Sequence, residues 1–282
     1  MSTPSVELPV TPPQMLERAV SVSESKVSMP AGKTFLSAIL AGMFIAFGGV
    51  FSTVIATGTG QTLPYGVMKL LQGVVFSLGL ILVVVGGAEL FTGKMLMVTG
   101  LSYHKVRWSG VLKNWGVVYI GNFVGSLLVA ALILLGKCYQ FAGGEYGLSM
   151  LKIAATKAGY QPLQAFALGI LCNILVCLAV WLTYSAKNTT DKIMAVLFPI
   201  SAFIAAGFEH SVANMYLVPV GLLLKILHPV FVMNSGLELS SLTWPAFLIN
   251  NLISVTIGNM VGGIFFVGLA YVVIYKKNVI NS

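Results

Sequence analysis

The sequence predicts an all-α membrane protein of six transmembrane helices, built as two inverted halves of three, with the second and fifth helices broken. Three observations predict this. Apolar residues fill 57% of the 282 positions and charged residues only 9%, against about 25% charged in a typical soluble domain. The chain repeats itself: Asn114, Ile120, Gly121, Asn122, Val124 and Gly125 recur at one constant offset as Asn251, Ile257, Gly258, Asn259, Val261 and Gly262. Two apolar stretches are interrupted at corresponding points, by Gly86-Gly87-Ala88-Glu89-Leu90-Phe91-Thr92-Gly93 and by Ala206-Gly207-Phe208-Glu209-His210-Ser211.

Residues 1–33 lack the apolar core of a cleaved signal peptide and hold Glu7, Glu17 and Glu24, so they read as a cytoplasmic N-terminal segment. Thr11-Pro12-Pro13 marks a helix start, with proline tolerated in the first turn. Met15, Leu16, Ala19 and Val20 form the apolar face of a surface helix there. Residues 34–276 form the membrane domain, with halves at about 34–136 and 162–276 and a cytoplasmic tail at 277–282. The spans fall near 34–57, 69–99, 111–136, 162–186, 192–226 and 246–275, each long enough to cross at about 20 residues. The second and fifth exceed one simple helix, as interrupted helices should. Gly121/Gly125 and Gly258/Gly262 form GxxxG pairs that let helix backbones approach closely within the subunit, with subunit contact as the alternative.

The formal net charge of +8 is topogenic. Arg18, Lys26, Lys33, Lys94, Lys105, Arg107, Lys113, Lys187, Lys192, Lys276 and Lys277 lie in alternate connecting segments or tails, which places both termini in the cytoplasm. Nucleic-acid binding is excluded on that distribution. Cys172 and Cys177 within the fourth span and Cys138 in an outer loop give neither a disulfide framework nor a metal spacing. No nucleophile, metal cluster or cofactor motif is visible, so neither an enzyme nor a cofactor is expected.

Paired interruptions in two halves mark a transport site at the membrane midplane, and an ionisable group in lipid marks a substrate or ion path. The protein therefore reads as a channel or transporter. Glu89 and Glu209 precede short half-helices at 91–99 and 211–226. A carboxylate there can accept from unpaired N–H groups at the positive helix end, a structural role at the breaks shared with Gly87, Gly207 and Ser211. Proton transfer is the alternative for the two glutamates. His210 is the only histidine within a span; His104 and His228 lie in connecting segments. Its unperturbed pKa of about 6.5 lets it switch charge near neutral pH. Thr92 serves equally as a cap or as a site hydroxyl. Asn173, Asn122 and Asn259 read first as interhelical hydrogen-bonding amides, and Lys157 as a snorkelling lysine. Periodicity does not separate Phe76, Leu80, Phe91, Val176 and Phe203 as pore walls from lipid-facing residues.

Over roughly 33–276 the chain resembles the formate/nitrite transporter family of bacterial anion channels. The resemblance rests on Gly87-Ala88-Glu89-Leu90-Phe91-Thr92-Gly93 and Cys172-Asn173-Ile174-Leu175-Val176-Cys177-Leu178-Ala179. It extends through Gly207-Phe208-Glu209-His210-Ser211-Val212-Ala213-Asn214-Met215 and Thr256-Ile257-Gly258-Asn259. It implies an aquaporin-like protomer, a homopentamer in the bacterial inner membrane, and a pore through each subunit. By the same resemblance His210 is the central pore histidine, Thr92 its partner in the opposite break, and Glu209 its neighbour. Lys157 draws anions toward the outer constriction of Phe76 and Phe203, Asn173 and Asn259 are pore amides, and Leu80, Phe91 and Val176 form the inner constriction. Thr57-Gly58-Thr59-Gly60, Phe76-Ser77-Leu78-Gly79-Leu80 and Met215-Tyr216-Leu217-Val218-Pro219 resemble the formate branch. Glu89 and Gly93 depart from it, standing where formate channels carry Asp and Ser, and are similar to the nitrite and hydrosulfide branches.

The expected function is proton-linked passage of a small weak-acid anion: formate first, with nitrite or hydrosulfide as alternatives and lactate and acetate as further candidates. From other classes, a cation-coupled carrier predicts gradient dependence, and a water or glycerol channel predicts Asn-Pro-Ala signatures, which neither break carries.

Overall fold

A computed structural model describes residues 9–58 and 62–276. Glu7, Thr59, Gly60, Lys277 and the tail 277–282 lie outside them. The regular elements of the described chain are all helical, from α1 (Pro12–Ser28) to the short α10 (Pro229–Met233) and α11 (Ala246–Tyr275).

Among the described residues, five helices are long and apolar enough to cross a bilayer: α2 (Ala31–Ala56), α3 (Tyr65–Gly86), α5 (Trp108–Leu135), α7 (Pro162–Thr183) and α11. Their outward residues are apolar too, Leu132 and Phe265 among them, so the helices lack the polar face of a soluble bundle. Helix α11 contains two wider π-helical stretches, Ala246–Ile253 and Ile264–Leu269.

The two interrupted segments break alike. Helix α3 ends at Gly86, and Gly87 turns left-handed at φ 75°. Ala88 N–H then returns to the Val83 carbonyl at 2.9 Å. Helix α8 (Thr189–Ala205) ends the same way: Gly207 has φ 75°, and Phe208 N–H donates to the Phe203 carbonyl at 3.0 Å. Only glycine adopts that backbone without a steric penalty, so both breaks are written into the sequence.

Beyond the breaks the halves diverge. Helix α9 (Ser211–Leu227) resumes as a regular helix. The other side continues as a 3₁₀ turn, Thr92–Met97, followed by the short α4 (Val98–Ser102), instead of the single half-helix expected at 91–99. Neighbouring side chains claim the carbonyls an α-helix would use there. Trp115 Nε1 donates to the Lys94 carbonyl at 3.1 Å, and Asn173 Nδ2 to the Thr92 carbonyl at 3.2 Å. Bonds to the i+3 residue then replace the usual ladder.

Both GxxxG pairs pack inside the subunit. A Cβ on Gly121 would lie 2.6 Å from the Ala38 Cβ, and one on Gly125 would strike the Ile39 carbonyl of α2. Gly258 and Gly262 meet the Phe166 and Ile170 carbonyls of α7 in the same way. Glycine is used here because backbone touches backbone.

Helix α1 opens at Thr11, whose N–H donates to Gln14 Oε1 at 2.9 Å. Its expected apolar face is buried, with Met15, Leu16 and Ala19 packed against Trp181 and Val272. Arg18 donates to the Tyr184 carbonyl at 2.6 Å, and Lys26 pairs with Glu89. The helix is therefore docked into one end of the bundle, which we call the proximal end. Helix α6 (Glu145–Ala158) packs at the opposite, distal end against α9.

Candidate functional site

Each break must satisfy N–H and C=O groups that apolar surroundings cannot. The repeated asparagines do this. Asn122 Nδ2 donates to the Ala38 and Glu89 carbonyls at 2.7 and 2.9 Å, while its Oδ1 accepts Phe91 N–H at 2.9 Å. Asn259 Nδ2 donates to the Gly169 and Glu209 carbonyls at 2.7 and 3.0 Å, and its Oδ1 accepts Ser211 N–H at 2.9 Å. The first pair of repeated amides acts further out: Asn114 Nδ2 reaches the Lys26 carbonyl at 3.1 Å, and Asn251 Nδ2 the Lys157 carbonyl at 2.9 Å.

This corrects the role expected of the glutamates. Their carboxylates do not cap the half-helices, because the asparagine oxygens already hold those N–H groups. Buried carboxylates need opposite charge, and they find lysines. Glu89 is ion-paired with both Lys26 and Lys94. Glu209 pairs with Lys157 at 2.5 Å and also accepts from Asn214 Nδ2 at 2.6 Å and Asn251 Nδ2 at 3.2 Å. Lys26 and Lys94, read from sequence as topogenic charge, are thus partners within the site. A signal existed: Lys94 and Asn214 each stand five residues after their glutamate.

His210 caps α9. Its Nδ1 accepts Ala213 N–H at 3.0 Å, so that nitrogen carries no proton. The remaining proton sits on Nε2, which is 2.8 Å from Thr92 Oγ1. The threonine hydroxyl faces the histidine rather than capping its own segment. The Phe203 ring stacks on the imidazole at 5.9 Å and 28°, and Phe76 meets Phe203 edge-on at 5.8 Å and 83°. Asn173 donates to the Thr92 carbonyl at 3.2 Å and the Asn259 carbonyl at 2.6 Å, tying the first break to the helix whose Asn259 side chain serves the second.

Two cavities approach this pair from opposite ends. The distal one, about 240 Å³, has Lys157, Phe76, Phe203, Glu209 and His210 on its wall. The proximal one, about 490 Å³, is lined by Leu80, Gly87, Glu89, Leu90, Gly93 and both lysine partners of Glu89. Phe76 and Leu80, four residues apart on α3, belong to different cavities, so the closure between them is about one helical turn thick. Cationic side chains outnumber carboxylates on both walls, a potential that gathers anions.

Two expected constriction residues line neither cavity. Phe91 packs edge-on against Tyr119 at 4.8 Å, and Val176 is buried among core side chains. Leu90, not singled out from sequence, faces the proximal cavity. It occupies the place in the first break that His210 occupies in the second, one residue after the glutamate.

A sequence model described as "Formate/nitrite transporter" matches residues 13–273. "Formate channel FocA" of Escherichia coli (strain K12) is 43% identical over 270 residues, covering 94% of each chain. "Formate channel FocA" of Haemophilus influenzae is 40% identical, covering 92% of this chain and 93% of its own. Among solved structures, a "Pentameric formate channel with formate bound" superposes with a TM-score of 0.80 at 44% identity, covering 88% of this chain and 98% of that one. The chain belongs to the formate/nitrite transporter family and is a membrane transport protein, not an enzyme.

Proposed function

We propose that the protein is a channel for formate, which crosses together with a proton as the neutral acid. The observation that carries this reading is the His210–Thr92 pair, 2.8 Å apart between two cationic cavities. The protomer is then an aquaporin-like fold of six spans, with α3 through α4 as the broken second and α8 plus α9 as the broken fifth. Five copies assemble in a bacterial inner membrane, each with its own pore. Both termini, and the end where α1 docks, face the cytoplasm.

Magnitudes favour neutralisation. Moving a bare carboxylate into a low-dielectric passage costs several kcal/mol even after relaxation, and about 20 in the ideal limit. Protonating formate at neutral pH costs about 4 kcal/mol, three units at 1.36 each. Lys157 and the positive ends of the half-helices at the breaks gather the anion. His210 then delivers the proton from Nε2. Because Nδ1 is held by Ala213 N–H, the ring is neutral between turnovers. It can release a proton only if Nδ1 gains one, which means giving up a cap bond worth about 1 kcal/mol. Water in the entry cavity supplies the proton that the ring regains, and water in the opposite cavity takes up the one the acid releases as it ionises. His210, Thr92, Lys157, Glu209, Asn173 and Asn259 are the groups assigned to this path.

The test is flux of formate, nitrite, hydrosulfide, lactate and acetate into vesicles holding the purified protein, at acidic and neutral pH. Formate should move fastest, and faster from the acidic side. Faster nitrite or hydrosulfide would overturn the substrate while leaving the family, and would fit Glu89 and Gly93.

Lys157→Ala should both weaken uptake at low formate and destabilise the protein by about 3–5 kcal/mol, because Glu209 is left buried and uncompensated. Adding Glu209→Gln should restore stability but not affinity. Recovery of both in the double variant would reduce Lys157 to a structural counterion.

A further inference from the structure

The duplication provides an internal measure of the charge that a break needs. In the second break Glu209 is satisfied by one lysine and two neutral amides, Lys157, Asn214 and Asn251, so that cluster is electrically neutral. In the first break Glu89 faces two lysines, Lys26 and Lys94. Lys94 stands where Asn214 stands in the second half, five residues after the glutamate. One positive charge is therefore in excess, and the folding of a break does not require it.

That charge is buried, since Lys94 is only 6% exposed. An ammonium has three donors, and neither Nζ has an acceptor other than Glu89 among the described residues. A buried charge in excess is costly until an opposite charge joins it. Both lysines line the proximal cavity, where Glu89 is the only carboxylate on the wall and Arg18 and Lys192 add further positive charge. The missing partner is an anion from solution. Leu80, Val83 and Leu90 line the same cavity, and such walls favour an anion that gives up its water at little cost.

We propose that the excess charge of Lys94 makes the proximal cavity a holding site for weakly hydrated monovalent inorganic anions. Anions of strong acids take up no proton near neutral pH. They therefore stay on the proximal side of the closure and compete there with formate. The site follows from the charge balance alone, whereas the competition rests on the proton-linked reading above.

The test is anion binding to the purified full chain in detergent, read as the excess line width of ³⁵Cl in NMR and its displacement by iodide. The parent protein should broaden chloride, and iodide should remove that broadening. Lys94→Asn gives Glu89 a lysine and an amide, as Glu209 has, and should weaken iodide binding about tenfold. Lys113→Gln, at an exposed lysine outside the cavity, should leave it unchanged. No displaceable broadening in the parent, or an unaltered affinity in Lys94→Asn, overturns the site. Should that variant fail to fold, crystals of the parent soaked in iodide decide. An anomalous peak against the Lys94 ammonium is expected; peaks on exposed lysines alone would mean an adventitious ion only and overturn the site. Flux in vesicles is measured separately. Iodide that binds and then crosses as fast as formate removes the proton-linked reading and leaves the site, while formate flux without iodide binding removes the site alone.

Discussion

His210→Asn lowers proton-linked formate uptake by about a hundredfold, the lower end of what a positioned acid–base group contributes. Asparagine is the informative replacement. Its side-chain oxygen stands where the ring Nδ1 stands and can keep accepting Ala213 N–H, while its amide ends one bond short of the ring Nε2 that meets Thr92. What it cannot do is titrate. The helix cap survives while proton delivery is lost. His210→Ala removes the cap as well, so it should lose stability by about 1 kcal/mol in addition to activity. Initial uptake rates at acidic and neutral pH, with thermal unfolding of each variant, separate the two effects. An asparagine variant with the parent's pH dependence would show that the ring serves only as a cap and hydrogen-bond donor.

Asn259→Leu and Asn122→Leu should be the most destabilising single substitutions in the molecule, at about 5 kcal/mol each. Either change strands one carbonyl and one N–H in a buried break, those of Glu209 and Ser211 in one case and of Glu89 and Phe91 in the other, and unties the break from a neighbouring helix at the Gly169 or Ala38 carbonyl. Each stranded group costs about 1–3 kcal/mol. Asn173→Leu is the internal comparison. Asn173 makes two such bonds, and its Oδ1 is already unpartnered, so its loss should cost less. Denaturation midpoints in one detergent give the ordering. An Asn259 variant as stable as the Asn173 variant would mean that water or a backbone shift satisfies the break instead.

These two sites show what could be read from sequence. Gly87 and Gly207 signal the breaks because the left-handed turn at each admits little else. Asn122 and Asn259 are legible as a repeat, since both halves face the same problem of satisfying an opened backbone. The partners of the glutamates were harder. Lys26 lies 63 residues before Glu89 and belongs to a helix that looked like surface decoration. No local pattern announces an ion pair closed over that separation, although the Asn114 and Asn251 bonds to the Lys26 and Lys157 carbonyls follow the repeat.

The walls of the cavities were the least legible. In a soluble helix the buried face is the apolar one, whereas here both faces are apolar. Phe91, expected at the inner constriction, packs against Tyr119, while Leu90 beside it lines the cavity.

The central claim is that charge never crosses alone. Isotopic formate uptake into vesicles, recorded together with luminal pH while a potassium ionophore clamps the membrane potential, tests it most directly. The lumen should acidify in proportion to the formate taken up, and the uptake rate should not respond to the clamped voltage. Formate entry that follows the voltage and leaves luminal pH unchanged would contradict it.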